Sequence, residues 1–277
     1  MPFLARLWRT DPWLTGAAAA MLALVPLLLA GLLLDPRTVT VAPVWLKPLK
    51  FAISIGAYTL TLAWLFTWLP AWRRTRLVVG RATAAALLIE MALIAGQAWR
   101  GTTSHFNVGT PFDAAVFIVM GLVIILQTLL MVTVAVAVWR ERFTDPALGW
   151  ALRFGVVLTI AGALVGPLMT RPTPAQLAEA RPTRRMPIAG AHTVGAADGG
   201  PGLPVTGWST RHGDLRVPHF VGLHAWQALP LVLLVALRGR SERTRVRLII
   251  AAGAAYTALF AALLVQALRG MPLLPLP

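Results

Sequence analysis

The chain has 277 residues, of which 57% are hydrophobic and 13% are charged. A soluble globular domain carries about a quarter charged residues, so this chain has too few polar side chains to coat a water-facing surface. The sequence contains no cysteine, which excludes disulfide bonds, thiol catalysis and thiolate metal sites. The composition also excludes a disordered chain and predicts a protein whose solvent is lipid.

Seven stretches are long and apolar enough to cross a hydrocarbon core of about 30 Å, which takes about 20 helical residues. They lack the period-two alternation of barrel strands, so the sequence predicts an all-α fold, a seven-transmembrane-helix bundle that forms one transmembrane domain over residues 1–277. The predicted helices lie near residues 14–34, 51–70, 77–99, 113–138, 147–169, 218–237 and 247–268. The first stretch is longer than the apolar core of a typical signal peptide and is expected to be a retained helix.

The net charge of +15 comes from arginines at the ends of these apolar stretches, which indicates anchoring to lipid headgroups and no nucleic-acid partner. Three arginine-rich connections, near residues 70–81, 139–146 and 238–247, alternate along the chain and therefore share one side of the membrane. The positive-inside rule makes that side cytoplasmic. The N-terminus is then expected in the cytoplasm and the C-terminus outside it. Arginines in the long fifth connection count against this orientation, although long connections translocate largely regardless of charge.

That fifth connection, residues 170–217, is rich in glycine and proline. Residues 191–204 of this connection are dense in turn-forming residues. Trp208 follows them, and such a large apolar side chain is not expected in a solvated tail. Long loops in compact proteins are usually functional or disordered. We expect a folded extracytoplasmic cap over the helix bundle.

The predicted topology puts every histidine at or near the extracytoplasmic side. Neutral imidazoles bind transition metals together with carboxylates, and two imidazoles can clamp a haem iron. The sequence therefore predicts a transition-metal or haem b site made by His105, His219 and His224, with Gln227 on the same helix face as His224. The alternative is that these histidines hydrogen-bond loop backbone and helix ends. The remaining two, in the long connection, are weaker candidates: His192 and His212.

Glu90 is the only carboxylate deep within a predicted span. A polar group in lipid normally faces the bundle interior and is a functional candidate. Glu90 is a candidate catalytic acid or base, or a proton carrier, and the alternative is a neutral acid that hydrogen-bonds a neighbouring helix. Asp113, at the outer end of the fourth predicted helix, is a second candidate catalytic carboxylate. Two amides share the interior of the spans, Gln97 and Gln127.

The chain has only two lysines among its 25 basic residues, and both precede the second predicted helix. Lys47 and Lys50 could bind an anionic headgroup, a haem propionate or another carboxylate, because a lysine ammonium is a compact charge that can also lose its proton. The alternative is interfacial anchoring beside Trp45.

Several motifs carry a family resemblance. The runs Gly199-Gly-Pro-Gly-Leu-Pro, Gly213-Asp-Leu-Arg-Val and His219-Phe-Val-Gly-Leu-His-Ala, with Gln97-Ala-Trp-Arg-Gly and Ser104-His-Phe-Asn, resemble a family of bacterial multi-pass membrane proteins. This resemblance spans most of the chain and implies a bacterial cytoplasmic (inner) membrane, but it implies no activity. Ser104, His105 and Asp113 are also similar to residues of the seven-helix membrane hydrolases related to alkaline ceramidases and adiponectin receptors. Those enzymes carry a His-x-x-x-His pair on their seventh helix, whereas the pair here is spaced by five on the sixth.

We therefore expect an integral membrane protein with a metal or haem at its extracytoplasmic face, used in redox or hydrolytic chemistry on a lipid-soluble substrate. The first alternative is a proton-coupled transporter or receptor without a cofactor, which uses Glu90 and the intramembrane glutamines. A structural or assembly partner without chemistry of its own is the second alternative. The substrate, the metal and the oligomeric state stay open.

Overall fold

The computed structural model describes residues 2–276 and is mostly helical. Its helices are α1 Phe3–Thr10, α2 Pro12–Leu34, α3 Leu46–Phe66, α4 Arg73–Trp99, α5 Pro111–Arg140, α6 Pro146–Met169, α7 Pro174–Thr183, α8 Arg216–Leu223, α9 Ala225–Leu231 and α10 Glu242–Leu268, and a π-helical turn, Val232–Ala236, follows α9. Two short antiparallel pairs complete the fold, β1 Thr38–Val39 with β2 Ala42–Pro43, and β3 Thr193–Val194 with β4 Gly213–Asp214.

Six helices in the described part are long and apolar enough to cross a membrane: α2, α3, α4, α5, α6 and α10. A seventh span exists if α8, α9 and the π-helical turn count as one broken helix. Many large apolar side chains on these helices face outward, for example Leu33 and Leu34, which are 83% and 82% exposed. Such surfaces suit lipid rather than water. The predicted mostly helical fold is therefore confirmed, and its six or seven candidate spans fit a multi-pass membrane protein.

The helix boundaries differ from the predicted ones most clearly in α3. This helix begins at Leu46, whereas the apolar stretch begins near residue 51. Pro48 does not prevent the early start, because the first turn of a helix does not use its backbone N–H groups in internal hydrogen bonds. Lys47 and Lys50 therefore lie on the first turns of α3 and not in the connection before it.

The predicted unbroken helix near residues 218–237 is interrupted in the structure. α8 and the α9 segment meet at 48° around His224, whose φ of −93° and ψ of 1° leave the helical region. Neighbouring side chains bind the carbonyl groups near this break. The Tyr256 hydroxyl donates to the Val221 carbonyl at 2.8 Å and the Thr159 hydroxyl donates to the Leu223 carbonyl at 3.4 Å. A break within a membrane is tolerated when such partners satisfy the freed backbone groups.

The chain divides into two compact units. The first contains the chain up to Thr67, then Arg76–Gln127 and Thr170–Ala191. Its core joins α2, α3 and α4 through side chains such as Met21, Ile55 and Met91. A second cluster joins α4 to α5.

The second unit contains Trp68–Thr75, Thr128–Met169 and the chain from His192 onward. Its helices α6 and α8 approach closely where Gly162 meets Gly222. A Cβ added to Gly162 would lie 2.7 Å from the Gly222 carbonyl carbon, which is closer than real Cβ atoms come. Small residues allow this approach, as is usual between membrane helices. The long connection is shared between the units, since residues 170–191 belong to the first and residues from 192 to the second.

Candidate functional site

The first unit joins three of the residues singled out in the sequence. Lys47, on the first turn of α3, places its Nζ 3.1 Å from Nδ1 of His105, which lies in the connection between α4 and α5. An ammonium group only donates hydrogen bonds, so Nδ1 must accept here. A neutral imidazole that accepts at Nδ1 carries its proton on Nε2. The Ser104 hydroxyl oxygen also lies 3.1 Å from Nδ1.

The other side of the His105 ring faces Glu90 of α4. Nε2 of His105 lies 3.8 Å from Oε1 of Glu90. That distance suits an ion pair but exceeds a direct hydrogen bond, so one water or a small rotation is needed to connect the two groups. The Glu90 residue is 1% exposed, and its Oε2 has no hydrogen-bond partner within residues 2–276. The three side chains form a row that we call the Lys47–His105–Glu90 relay.

Aromatic rings surround the imidazole. The ring centroids of Phe51, Phe106 and Phe117 lie 6.0, 6.2 and 6.5 Å from that of His105. The Lys47 ammonium also lies over the Phe51 ring, 5.9 Å from its centroid. Apolar walls lower the local dielectric, so the charges of Lys47 and Glu90 act more strongly on His105 than they would in water.

The backbone beside His105 is held in a conformation that bulky residues rarely adopt. Phe106 has φ 65°, which costs about 1–3 kcal/mol for a side chain of this kind. The segment that follows α7 stabilises it: Ala189 N–H donates to the Phe106 carbonyl at 2.8 Å, and Val108 N–H donates to the Pro187 carbonyl at 2.9 Å. Strain that the surroundings maintain is typical of functional positions.

Asp113 lies in a separate network, at the start of α5. The Gln97 amide, the Arg100 guanidinium and the Thr110 hydroxyl donate to its carboxylate at 2.8, 2.5 and 2.6 Å. Arg100 also donates to the Gln97 side-chain oxygen. This network ties the end of α4 to the start of α5 on either side of the connection that carries His105. The Asp113 carboxylate accepts hydrogen bonds from these three residues and not from His105, so we expect it to position the connection.

The connection before α3 contains a further ion pair. Arg37 and Asp35 are 2.7 Å apart, and the Trp45 indole N–H donates to the same carboxylate at 2.8 Å. These hydrogen bonds hold the pKa of Asp35 well below its usual range. Arg37 also donates to the Trp99 carbonyl at the end of α4 at 3.0 Å, which fixes the start of α3, where Lys47 lies, against α4.

Two further predicted residues lie elsewhere in the first unit. The Gln127 amide donates to the Tyr58 hydroxyl at 2.8 Å, while its side-chain oxygen is buried and finds no partner in the described chain. Lys50 is half-buried on α3, near the second turn.

The second unit contains His219, His224 and Gln227. Nδ1 of His219 lies 2.7 Å from the Gly162 carbonyl oxygen, and Nδ1 of His224 lies 2.7 Å from Oε1 of Gln227. Both acceptors are oxygens, so each ring carries its proton on Nδ1 and presents a lone pair at Nε2. The other ring nitrogen, Nε2, has no hydrogen-bond partner in His219 or in His224 within the part of the chain that the structure describes.

The two remaining histidines lie in the long connection. Nδ1 of His192 is 2.8 Å from the Asp198 carboxylate. Burial raises the pKa of Asp198, but hydrogen bonds from His192 and Thr193 outweigh it and hold that pKa well below the usual range. His212 is exposed. Within residues 2–276, no three His, Cys, Asp or Glu side chains form a group that could hold a metal ion, so the structure gives the predicted three-histidine metal site no support.

Sequence reasoning selected Lys47, Glu90 and His105 individually but assigned no role to Arg100 or Tyr58. A usable signal was present for Arg100, since an arginine just after one helix and an aspartate on the first turn of the next enclose a connection of about ten residues.

No family model, no curated protein and no solved structure matches this chain.

Proposed function

We propose that the chain is an integral membrane protein that takes up and releases a proton at Glu90 through His105, as a proton-coupled transporter or receptor without a cofactor. The observation that carries this proposal is the Lys47–His105–Glu90 relay, with its 3.1 Å and 3.8 Å separations. A buried carboxylate beside an imidazole is the usual arrangement of a membrane proton relay.

The donor and acceptor roles define one proton transfer. The Lys47 ammonium gives a proton to Nδ1 of His105, and Nε2 of the same ring gives its proton to Oε1 of Glu90. The products are a neutral lysine amine, the other neutral imidazole tautomer and a neutral glutamic acid. No electron is transferred and no further reactant is needed. Return of the proton restores the starting state.

The predicted topology gives this relay a direction. In a seven-helix bundle with the glycine- and proline-rich loop outside a bacterial cytoplasmic membrane, the connection that carries His105 lies on the extracytoplasmic side. Glu90 is nine residues from the end of α4, a depth of about 13 Å along a helix. A proton from outside would thus reach the membrane interior at Glu90.

Two buried acceptors without partners support a polar path inside the first unit. Oε2 of Glu90 and the side-chain oxygen of Gln127 are both buried and without a hydrogen-bond partner in the described chain. A buried acceptor without a partner costs about 1–3 kcal/mol. Water or a small polar solute in the unit would remove this cost.

The test is proton movement in liposomes. Purified protein is reconstituted with a pH-sensitive dye inside, and proton entry is measured after a potassium–valinomycin potential is imposed. We expect faster entry than in empty liposomes and loss of the excess in Glu90→Gln. Glu179→Gln is the matched control, because Glu179 is exposed on α7 of the same unit. Equal rates for wild type and Glu90→Gln would refute the proposal.

A second candidate function, a metal or haem protein with redox or hydrolytic chemistry on a lipid-soluble substrate, is favoured by one observation. Within residues 2–276, Nε2 of His219 and Nε2 of His224 have no hydrogen-bond partner, and the opposite ring nitrogens are bound to oxygens. This arrangement holds metal-ligating imidazoles in place. Elemental analysis and a haem absorption spectrum test it. A stoichiometric metal or a Soret band that His224→Ala removes supports it, and neither signal in a clean preparation excludes it.

A further inference from the structure

A small cavity lies in the second unit, within the glycine- and proline-rich segment between β3 and α8. Its volume is about 150 Å³, which equals the liquid volume of about five waters. The residues that bear on its chemistry are Gly199, Gly200, Ser209, Arg211, His212 and Arg216. No carboxylate is among the described residues that line it, whereas two arginines are, so the formal charge of this lining is positive.

The two aspartates of this segment instead accept hydrogen bonds from the segment itself. Asp214 is 2% exposed and accepts hydrogen bonds from the Ser209 N–H at 2.8 Å and from Arg216 Nη2 at 2.6 Å. Asp198 accepts from the backbone N–H groups of His192 and Thr193 at 3.0 and 2.9 Å. These bonds fix the shape of the segment, and neither aspartate is among the described residues that line the cavity.

The hydrogen-bond donors of the cavity lining, by contrast, stay available. The Arg211 and His212 side chains are exposed and have no partner in the described chain. Arg216 is bound to Asp214 and to the Gly207 carbonyl through Nε and Nη2, which leaves Nη1 without a partner. An arginine fork fixed by a carboxylate is pre-organised to bind an oxyanion with its remaining N–H groups.

Two neighbouring glycines of the cavity lining, Gly199 and Gly200, carry no side chain and leave space beside the backbone. A Cβ added to Gly200 would meet no atom within 4 Å, so a larger side chain at this position would point into open space. Gly199 has φ +98°, a conformation that other residues rarely adopt.

We propose that this cavity binds a phosphate-type oxyanion, with Arg211 and Arg216 as its principal ligands. The cavity is small, and its described lining has no carboxylate. Two guanidinium groups line it, one fixed by Asp214 and one exposed, which is the chemistry that recognises a tetrahedral oxyanion. The anion is either free phosphate or the phosphate of a lipid headgroup. The proposal does not depend on the relay in the first unit.

The experiment uses the full chain in nanodiscs of phosphatidylcholine, titrated with inorganic phosphate by calorimetry. Native mass spectrometry then compares retention of phosphatidylglycerol with that of phosphatidylcholine. Arg211→Ala removes a ligand, and Gly200→Leu adds a bulky side chain to the cavity lining without changing charge. Arg181→Ala, an exposed arginine on α7, is the control. Arg216 is left intact because it neutralises the buried Asp214.

We expect saturable binding that weakens about tenfold or more in Arg211→Ala and in Gly200→Leu, and not in Arg181→Ala. Binding of inorganic phosphate identifies a free oxyanion as the ligand. Selective retention of phosphatidylglycerol with the same dependence on the two variants identifies a headgroup. The proposal is overturned if neither probe binds saturably, or if both variants bind as the wild type does.

Discussion

Asp113→Asn tests the network that holds the His105 connection. The substitution keeps the shape of the side chain and removes its charge. Asp113 is 5% exposed, and it accepts hydrogen bonds from Gln97, Arg100 and Thr110. Asparagine retains one acceptor oxygen, so the hydrogen bonds from Gln97 and Arg100 can persist as bonds to a neutral group.

The expected loss follows from these contacts. A hydrogen bond to a charged group contributes about 1 kcal/mol more than one to a neutral group, so two such bonds amount to about 2 kcal/mol. The Arg100 side chain is 42% exposed and can be hydrated after the change, which lowers the contribution of its bond. For a chain of this size about 2 kcal/mol corresponds to a lowering of Tm by roughly 4–8 °C.

Thermal unfolding of the purified protein in one detergent is the assay, with Glu179→Gln as the control. A double-mutant cycle with Arg100→Gln separates the pair from each residue alone. We expect the two effects to be clearly less than additive. If Asp113→Asn unfolds at the temperature of the control, or the effects of Asp113→Asn and Arg100→Gln simply add, the positioning role of this network is wrong.

Two further predictions concern the second unit. Gly162→Ala puts a methyl group against the backbone of α8, so we expect a loss of about 1–3 kcal/mol in thermal unfolding. Gly96→Ala, inside α4, meets nothing within 4 Å and should be neutral to slightly stabilising; equal effects would contradict the close packing. The pKa of Asp198 is lower in the folded chain than in the unfolded one, so its stabilisation is present above about pH 4 and is lost as the pH falls further. Asp198→Asn should lower Tm at pH 7 and flatten its fall between about pH 5 and 2; an unchanged acid profile would refute this.

Hydropathy was sufficient to predict where the helices that could span a membrane lie, because the test is one of length and apolar content. It could not predict the break at His224. An interrupted helix depends on partners for its freed carbonyl groups, and these come from Thr159 and Tyr256, 64 and 35 positions away from the residues they bind. The predicted start of α3 was too late for a simpler reason: its first turns contain two lysines, so a search for apolar residues begins after them.

The candidate site was likewise predicted only in part: its residues could be selected from the sequence, but their contacts could not. A carboxylate inside an apolar stretch and rare lysines beside a helix start are visible in a single sequence, so Glu90 and Lys47 could be selected. Their connection through His105 could not, because Lys47 and His105 are 58 positions apart. The histidines looked alike in the sequence, whereas the structure gives His105 a cation and a carboxylate, His192 a carboxylate, and His219 and His224 neutral oxygen partners.

The relay depends on which nitrogen of His105 carries the proton, and ¹⁵N NMR of histidine-labelled protein in lipid measures this directly. The His105 signals are identified by their loss in His105→Asn. We predict an unprotonated Nδ1 and a protonated Nε2 at neutral pH, and a change of this pattern in Lys47→Met. A wild-type ring that carries its proton on Nδ1 would contradict the proton pathway from Lys47 to Glu90.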